Sequence, residues 1–175
     1  AELAAAYEAA LTDSVGAGVV AVHLSAELSS TMGSAKHAAR AFDGRVAVVD
    51  SRSAAMGSGF VALAAARAAS EGADLEHVVA QASSAVDRVH AFIVVQRLDN
   101  LRRSGRIGTA ASWLGTALAI KPLLRIDAGR LVLGQRVRTT SRAIAAMVEQ
   151  VLEVVGEQRA EFAVQHVDNA GAAAE

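Results

Sequence analysis

The stretch VVAVHLSAELSST, residues 19–31, predicts the fold most clearly. Its first half, residues 19–24, is a short and nearly continuous apolar run, which is typical of a buried β-strand. Its second half is rich in hydroxyl groups and leads into a segment with helical periodicity that extends to about Ala41. Ser30, Thr31 or a neighbour can cap that helix. The stretch therefore predicts a strand that passes through a polar loop into a helix.

Strands and helices alternate on both sides of this stretch. Short apolar runs at residues 46–49 and 91–95 predict two further buried strands. Helical periodicity occurs over three other segments, residues 3–11, 53–70 and 75–89. Strands that are apolar on both faces and separated by helices occur in parallel sheets. We therefore expect an α/β fold, with a parallel sheet covered by helices on both faces.

The pattern differs in the second half of the chain. Two apolar segments, residues 123–126 and 131–137, flank the turn-forming residues DAGR and predict a β-hairpin. Further elements are expected around it, namely helices over residues 98–103, 109–118 and 140–157 and a last strand over residues 161–167. An antiparallel hairpin after a parallel pattern predicts a second, mixed α/β domain. We expect domains at residues 1–87 and 88–175, the first incomplete at its N-terminus and the second at its C-terminus.

The composition is that of a folded protein without disulfides. Hydrophobic residues make up 53% of the 175 residues, and the mean hydropathy is +0.32. No run of about 18 apolar residues occurs, and no signal-peptide pattern is evident. We therefore expect a cytoplasmic protein without an integral membrane segment, for which transient contact with a membrane surface stays open. Cysteine is absent, which excludes disulfides and cysteine nucleophiles.

No cofactor and no metal are expected from the motifs. The glycines at residues 57–59 lack the G-x-G-x-x-G spacing of a dinucleotide site, and no P-loop lysine motif occurs. Five histidines are scattered without the spacing of metal ligands, at His23, His37, His77, His90 and His166.

Charge is distributed unevenly along the chain. Residues 97–142 contain ten basic side chains against Asp99 and Asp127, a net charge of +8, whereas the remaining residues carry −9. A segment this basic attracts a carboxylate, a phosphate or an acidic protein surface, although solvated arginines on separate surfaces would give the same count. Nucleic acid is not expected, because Trp113 is the only aromatic residue in the segment and no nucleic-acid-binding motif occurs.

The hydroxyl-rich residues 25–34 are the first candidate site. They follow the carboxyl end of a predicted parallel strand, where ligands bind in open α/β sheets. Free amides and the positive end of the helix dipole favour an anion there. Ser25, Ser29 and Ser30 can donate hydrogen bonds to a carboxylate without adding charge. The ordinary alternative is that one serine caps the helix and the others are only exposed.

A serine hydrolase is the alternative chemistry for the same region. Ser34 and His37 are spaced i,i+3 on one helix face, and His23 and Asp50 are at strand ends nearby. These residue types could supply a nucleophile, a base and an orienting acid. However, the G-x-S-x-G turn that exposes the nucleophile of α/β-hydrolases is absent. We therefore assign no catalytic residue.

Arg106 is the second candidate site. Ser104 and Gly105 predict the end of a helix and place Arg106 on the loop that follows. Its guanidinium could hold an anion with two hydrogen bonds or face a partner. The ordinary alternative is a helix C-terminus enriched in cations, which needs no function.

Six segments of the chain match motifs of one known family, in that family's order. Residues 24–31 are similar to I-S-S-x-L-S-G-T, with Ser30 in place of the glycine. Residues 48–51 and 55–59 resemble V-I-D-S and S-M-G-x-G. Later segments are similar to L-x-x-L-x-K-G-G-R-I-S, L-G-x-x-L-x-I-K-P-I-L and V-R-x-x-x-K-A, at residues 98–107, 114–123 and 137–142. The chain thereby resembles the DegV family of bacterial fatty-acid-binding proteins, which carry acyl ligands for a fatty-acid kinase.

The resemblance implies a function. DegV proteins are two-domain α/β proteins that bury a long-chain fatty acid, hold its carboxylate by hydroxyl groups and present it to the kinase for phosphorylation, without being enzymes themselves. By motif position, Ser29 matches the serine that holds the carboxylate, and Ser25 and Ser30 are beside it. Arg106 and Arg138 match basic residues implicated in docking to the kinase. The segment with a charge of +8 would then be the docking surface.

The resemblance also implies that both termini are truncated. The family's first strand and its T-S-Q-P-S loop would precede residue 1, and its histidine-bearing G-T-H-T-G-P-G segment would follow residue 175. The loop threonine and the terminal histidine that share the carboxylate in the family therefore have no counterpart here. Two alternatives to fatty-acid binding stay open: a small serine-dependent acyl hydrolase that uses Ser29 or Ser34, and a ligand-free interaction module that uses Arg106 and Arg138.

Overall fold

The computed structural model describes residues 2–95, 98–107 and 121–174. Within these ranges the helices are α1 (Glu2–Asp13), α2 (Thr31–Ala39), α3 (Met56–Ser70), α4 (Leu75–Val86), α5 (Asp99–Arg103), α6 (Thr140–Val155) and α7 (Ala170–Ala174). The strands are β1 (Val19–His23), β2 (Val46–Asp50), β3 (Phe92–Val94), β4 (Lys121–Asp127) and β5 (Arg130–Val137). No helix within the described ranges is both long enough and apolar enough to cross a bilayer.

The first sheet is parallel and has helices on both faces. Strands β1 and β2 pair in parallel, with Val19 opposite Val46 and His23 opposite Asp50. Because side chains alternate along a strand, Val20 and Val22 pack with α3 and α4, whereas Val19 and Ala21 pack with α1 and α2. The predicted α/β architecture is confirmed here.

Small side chains let α3 and α4 approach the sheet and each other closely. Their buried residues are all alanine or valine, namely Val61, Ala65, Ala68, Val78, Ala82 and Ala85. The opposite face is filled by the few larger side chains, with Tyr7 in edge-to-face contact with Phe42 at 6.0 Å between ring centroids. Because only 3% of the residues are aromatic, the interior is filled mainly by small side chains that let the helices and the sheet pack closely.

The second sheet is antiparallel, in the order β3-β4-β5. Strands β4 and β5 form the predicted hairpin, in which Asp127 pairs with Arg130 across the turn. Helix α6 packs on this sheet through Ala143 and Ala146, which are buried. Leu123 and Leu124 of the central strand are 0% and 1% exposed, so they form the centre of this second core.

One predicted strand pairs differently from the expectation, and another is absent. The apolar run of residues 91–95 is a strand, but β3 pairs antiparallel with β4 instead of extending the parallel sheet. Residues 161–167 have no regular secondary structure, and Phe162 and Val164 are 64% and 72% exposed. A strand needs a neighbour for its backbone hydrogen-bonding groups, and none of the described strands pairs with this segment. The predicted helix over residues 109–118 lies outside the described residues.

Candidate functional site

The candidate site lies where β1 and β2 end side by side. His23 and Asp50 are opposite each other at the last position of the parallel pair. The loop after β1, residues 24–30, is called the serine loop below. It is joined to the loop after β2, because the Ser25 amide donates to the Ser53 carbonyl at 2.8 Å and the Ser51 amide donates to the His23 carbonyl at 3.0 Å. The structure therefore brings two serine-rich loops together at the carboxyl edge of the sheet.

Asp50 ties these two loops to each other. Its Oδ1 accepts from the Arg52 amide at 2.8 Å and its Oδ2 accepts from the Ala26 amide at 3.3 Å. A carboxylate that accepts from two amides makes charge-assisted hydrogen bonds, which are stronger than neutral ones. Asp50 therefore supports the loops of the site, although the hydrolase alternative treated it as an orienting acid.

Ser25, Ser29 and Ser30 have different environments. Ser25 is fully buried, and its hydroxyl donates to the Gly129 carbonyl at 2.7 Å while accepting from the Glu27 amide at 3.2 Å. Ser30 is exposed at the N-cap position of α2, where its side chain makes no capping hydrogen bond. The Ser25 hydrogen is thus committed within the protein, whereas the Ser30 hydroxyl is free to meet a ligand.

Ser29 combines capping with accessibility. Its Oγ accepts from the Thr31 amide at 3.3 Å and lies 2.9 Å from Thr31 Oγ1. The side chain is half-buried, at the N-terminus of the nine-residue helix α2. In the Ser29–Thr31 pair one hydroxyl donates to the other, which leaves one hydrogen for an outside acceptor. The pair, with the positive end of α2, suits an anionic oxygen.

Arg106 lies against the serine loop, but Arg138 does not. The Arg106 Nε donates to the Leu28 carbonyl at 3.0 Å and its Nη1 donates to the Ser104 carbonyl at 3.3 Å. Arg138 follows β5 and is nine residues beyond Gly129, so at about 3.3 Å per residue roughly 25–30 Å of extended chain separates it from the turn that contacts the serine loop. The two arginines predicted to dock a partner are thus on separate parts of the surface.

Arg138 lines a concavity of its own. This concavity of about 500 Å³ lies between the end of β5 and α6. Its lining residues are Gln135, Arg136, Val137, Arg138, Arg142, Ala145, Ala146 and Glu149. Three arginines against one glutamate make this surface basic, in agreement with the charge distribution of the sequence.

A second serine cluster follows β2 and was missed in the sequence. Ser51 and Ser53 are 1% and 3% exposed, and Ser51 Oγ lies 2.8 Å from Ser58 Oγ. The Ser53 hydroxyl is buried without a hydrogen-bond partner. The signal was available, because the rule that ligand-contacting residues follow parallel strands applies to the end of β2 as well as to the end of β1.

The residues of the imagined hydrolase triad are not assembled. His23 Nε2 lies 3.2 Å from the Tyr7 hydroxyl, so its contact is with a tyrosine of α1 and not with a serine. Burial raises the pKa of this tyrosine, which keeps its hydroxyl protonated. Ser34 and His37 are both exposed on α2, and no hydrogen bond joins them. Within the described residues, no group of three His, Asp or Glu side chains could hold a metal ion.

His23→Gln is expected to reduce the pH dependence of thermal stability. Burial lowers the pKa of His23 below 6.5, so the folded protein favours the neutral ring more strongly than the unfolded chain does. The stability that the neutral His23 ring contributes is therefore complete above about pH 6.5. It is lost as the pH falls through the lowered pKa of His23. Between about pH 7 and pH 5, the Tm of the wild type should fall further than that of the variant. His37→Gln, on an exposed ring, is the control, and equal falls in all three proteins would contradict the prediction.

The chain is similar to known proteins over its whole length. The model of the DegV family, described as uncharacterised proteins, matches residues 1–175. A DegV domain-containing protein of Mycobacterium tuberculosis (strain H37Rv) is 58% identical over 172 residues, which are 98% of this chain and 61% of that protein. These matches support the resemblance that the motifs indicated.

Two solved structures have the same fold. A DegV family protein of Corynebacterium glutamicum has a TM-score of 0.82 at 41% identity, covering 89% of this chain and 60% of the other. A protein of Thermus thermophilus, described as a fatty-acid-binding DegV family protein, has a TM-score of 0.80 at 35% identity, covering 89% and 55%. The chain thus spans 55% to 61% of the length of these relatives. Since the family model matches every residue and these relatives share the α/β fold, the chain belongs to the DegV family.

Proposed function

We propose that this protein binds a long-chain fatty acid at the serine loop and presents it to a fatty-acid kinase. The observation that carries the proposal is the position of Ser29, a half-buried hydroxyl at the carboxyl edge of a parallel sheet and at the N-terminus of a helix. The description of the Thermus thermophilus relative as fatty-acid-binding supports the choice of ligand.

The chemistry of the loop suits a carboxylate that is held and later released. The Ser29–Thr31 pair has one hydroxyl hydrogen to donate, and Ser30 lies beside it on the exposed side of the loop. Hydroxyl donors and the α2 dipole stabilise a carboxylate without forming an ion pair. Such a carboxylate keeps its reactivity for phosphorylation, because neutral hydroxyl donors do not cancel its charge. The protein needs no catalytic residue and no cofactor of its own for this role.

Ser25 is the third member of the proposed ligand set. Its hydroxyl hydrogen is donated to Gly129 at 2.7 Å. Direct contact with a carboxylate would require this hydrogen to change its acceptor when the ligand arrives. Ser29 and Ser30 meet the ligand without such an exchange.

Docking to the kinase is proposed for the basic surface that includes Arg106 and Arg138. Because these residues lie far apart, a partner that contacts both must cover much of the antiparallel sheet and its helix. A kinase partner also implies the cytoplasm, where its nucleotide is available, and loading of the ligand fits transient contact with a membrane surface. We further propose that residues 1–87 and 88–175 act as two domains, each built on one of the two sheets.

An organic extract of the purified protein is expected to contain a fatty acid at about one equivalent per chain. Burial of an acyl chain is worth about 0.8 kcal/mol per CH₂ group, so a long chain should survive purification. Mass spectrometry of the extract identifies the acid, and an extract of an unrelated protein from the same cells is the control. An empty extract, together with no binding of added cis-parinaric acid, would contradict the proposal.

A further inference from the structure

The turn of the β4–β5 hairpin, residues 127–130, holds the serine loop from the opposite sheet. The Ser25 hydroxyl donates to the Gly129 carbonyl at 2.7 Å, and this contact is fully buried. Next to this contact, the Arg130 Nε donates to Glu27 Oε2 at 2.7 Å. These contacts join residues that are more than one hundred positions apart in the chain.

The fit between the turn and the loop admits only glycine at residue 129. Gly129 is buried and has a φ of +83°. A Cβ at this position would lie 2.5 Å from Ser25 Oγ and 3.5 Å from Glu27 Cγ. The turn thus lies directly on the two residues of the loop with which it forms hydrogen bonds, so a displacement of the turn must displace them.

Ser25 transmits this contact to Ser29. The Ser25 carbonyl accepts from the amides of Leu28 and Ser29, at 3.0 and 3.1 Å. One residue therefore holds the hairpin turn through its hydroxyl and the backbone of Ser29 through its carbonyl. The Ser29 hydroxyl is separated from Gly129 by only two hydrogen bonds and one residue.

We propose that the hairpin turn is a positioning element for the acid-binding Ser29, with Glu27, Gly129 and Arg130 as positioning residues that do not touch the ligand and Ser25 as the residue that links them to Ser29. The inference rests on the proposed function, since it assigns a geometry to the same site. In this role the buried Ser25 hydroxyl continues to donate to the Gly129 carbonyl when the ligand binds. The positioning role also links the two sheets, because a shift of the hairpin changes the affinity for the carboxylate group, and binding of the carboxylate holds the hairpin in place.

The test compares a long-chain fatty acid with its methyl ester. Both ligands bury the same chain, but only the acid presents a carboxylate to Ser29. In Gly129→Ala the ratio of the two affinities should fall about tenfold, because the added methyl group pushes Ser25 away. Gly44→Ala is the matched control, since Gly44 also has a positive φ, of +79°, but nothing within 4 Å of an added Cβ. The ratio of acid affinity to ester affinity in Gly44→Ala should equal that of the wild type.

Exchanging the charges of Glu27 and Arg130 provides a second test of the positioning role if Gly129→Ala does not fold. Arg130→Ala removes the ion pair with Glu27, whose side chains are 62% and 46% exposed, and should lower the ratio about twofold to fivefold. The double variant Glu27→Arg with Arg130→Glu restores an ion pair and should restore the ratio. A loss of packing alone would affect acid and ester equally and would not be rescued by the swap.

The outcomes separate this inference from the proposed function. If the acid binds to every variant with the preference of the wild type, the positioning role is overturned and the proposed function stands. If the wild type binds no fatty acid, the proposed function fails, and hydrogen exchange of the Leu28 and Ser29 amides decides the inference instead. Faster exchange in Arg130→Ala that the swap reverses supports positioning by the turn, whereas unchanged exchange overturns it.

Discussion

Ser29→Ala is expected to lower the affinity for a long-chain fatty acid about 10-fold to 100-fold. The substitution removes one hydrogen bond to a charged carboxylate, and such bonds are worth about 1.5–3 kcal/mol. The affinity of the matching methyl ester should change far less, because the ester carries no charge for Ser29 to stabilise. Displacement of cis-parinaric acid measures both affinities with one probe.

Two variants control for the capping role of Ser29. Ser29→Thr keeps a hydroxyl at the same position and should retain most of the affinity. Ser34→Ala removes an exposed serine from α2 and should leave binding unchanged. If Ser29→Ala binds the acid as tightly as the wild type, the carboxylate site is not at the serine loop.

Gly57→Ala is expected to destabilise the protein by about 1–3 kcal/mol, the usual cost of overpacking a core. The added Cβ would collide with Ser53 Oγ and would lie 2.9 Å from Ser53 Cβ. Ser53 is 3% exposed and cannot move into solvent. Chemical denaturation of the variant and the wild type measures the difference in the free energy of unfolding.

Removing the hydroxyl of Ser53 should offset part of the destabilisation caused by Gly57→Ala. Ser53→Ala deletes a buried polar group that has no partner in the structure, so this variant alone should be at least as stable as the wild type. In the double variant the two methyl groups have more room, and part of the loss should be recovered. Gly33→Ala, where an added Cβ meets nothing within 4 Å, is the control and should be neutral or slightly stabilising. A neutral Gly57→Ala would contradict the close packing of Gly57 against Ser53.

The parallel half of the fold could be predicted because its signals are local. The apolar runs at β1 and β2 and the helical periodicity of α1 to α4 each extend over neighbouring residues, and the structure reproduces them within a few positions. The β4–β5 hairpin was predictable for the same reason, since its turn residues lie between its strands. The partner of β3 was not predictable, because an apolar run of three to five residues is compatible with either sheet.

The location of the candidate site could be predicted from the sequence, but the hydrogen bonds between its residues could not. The rule for parallel strand ends locates the serine loop without any structure, and the ligand role of its serines stays a prediction. The same rule applied to the end of β2 would have found Ser51 and Ser53. No local pattern indicates that Arg106 bonds the Leu28 carbonyl or that Ser51 and Ser58 share a hydrogen bond.

The sequence by itself determined the alternation of strands and helices, the hydroxyl-rich loop after β1, the basic second half and the family. Each of these depends on the order of neighbouring residues or on motifs within short segments. Only the tertiary structure decided that β3 belongs to the antiparallel sheet and that Ser25 is buried against Gly129. Those contacts join residues far apart in the chain, and the free energy that selects them comes from burial and hydrogen bonds formed when the two sheets meet. Information of that kind is spread over the whole sequence and has no local signature.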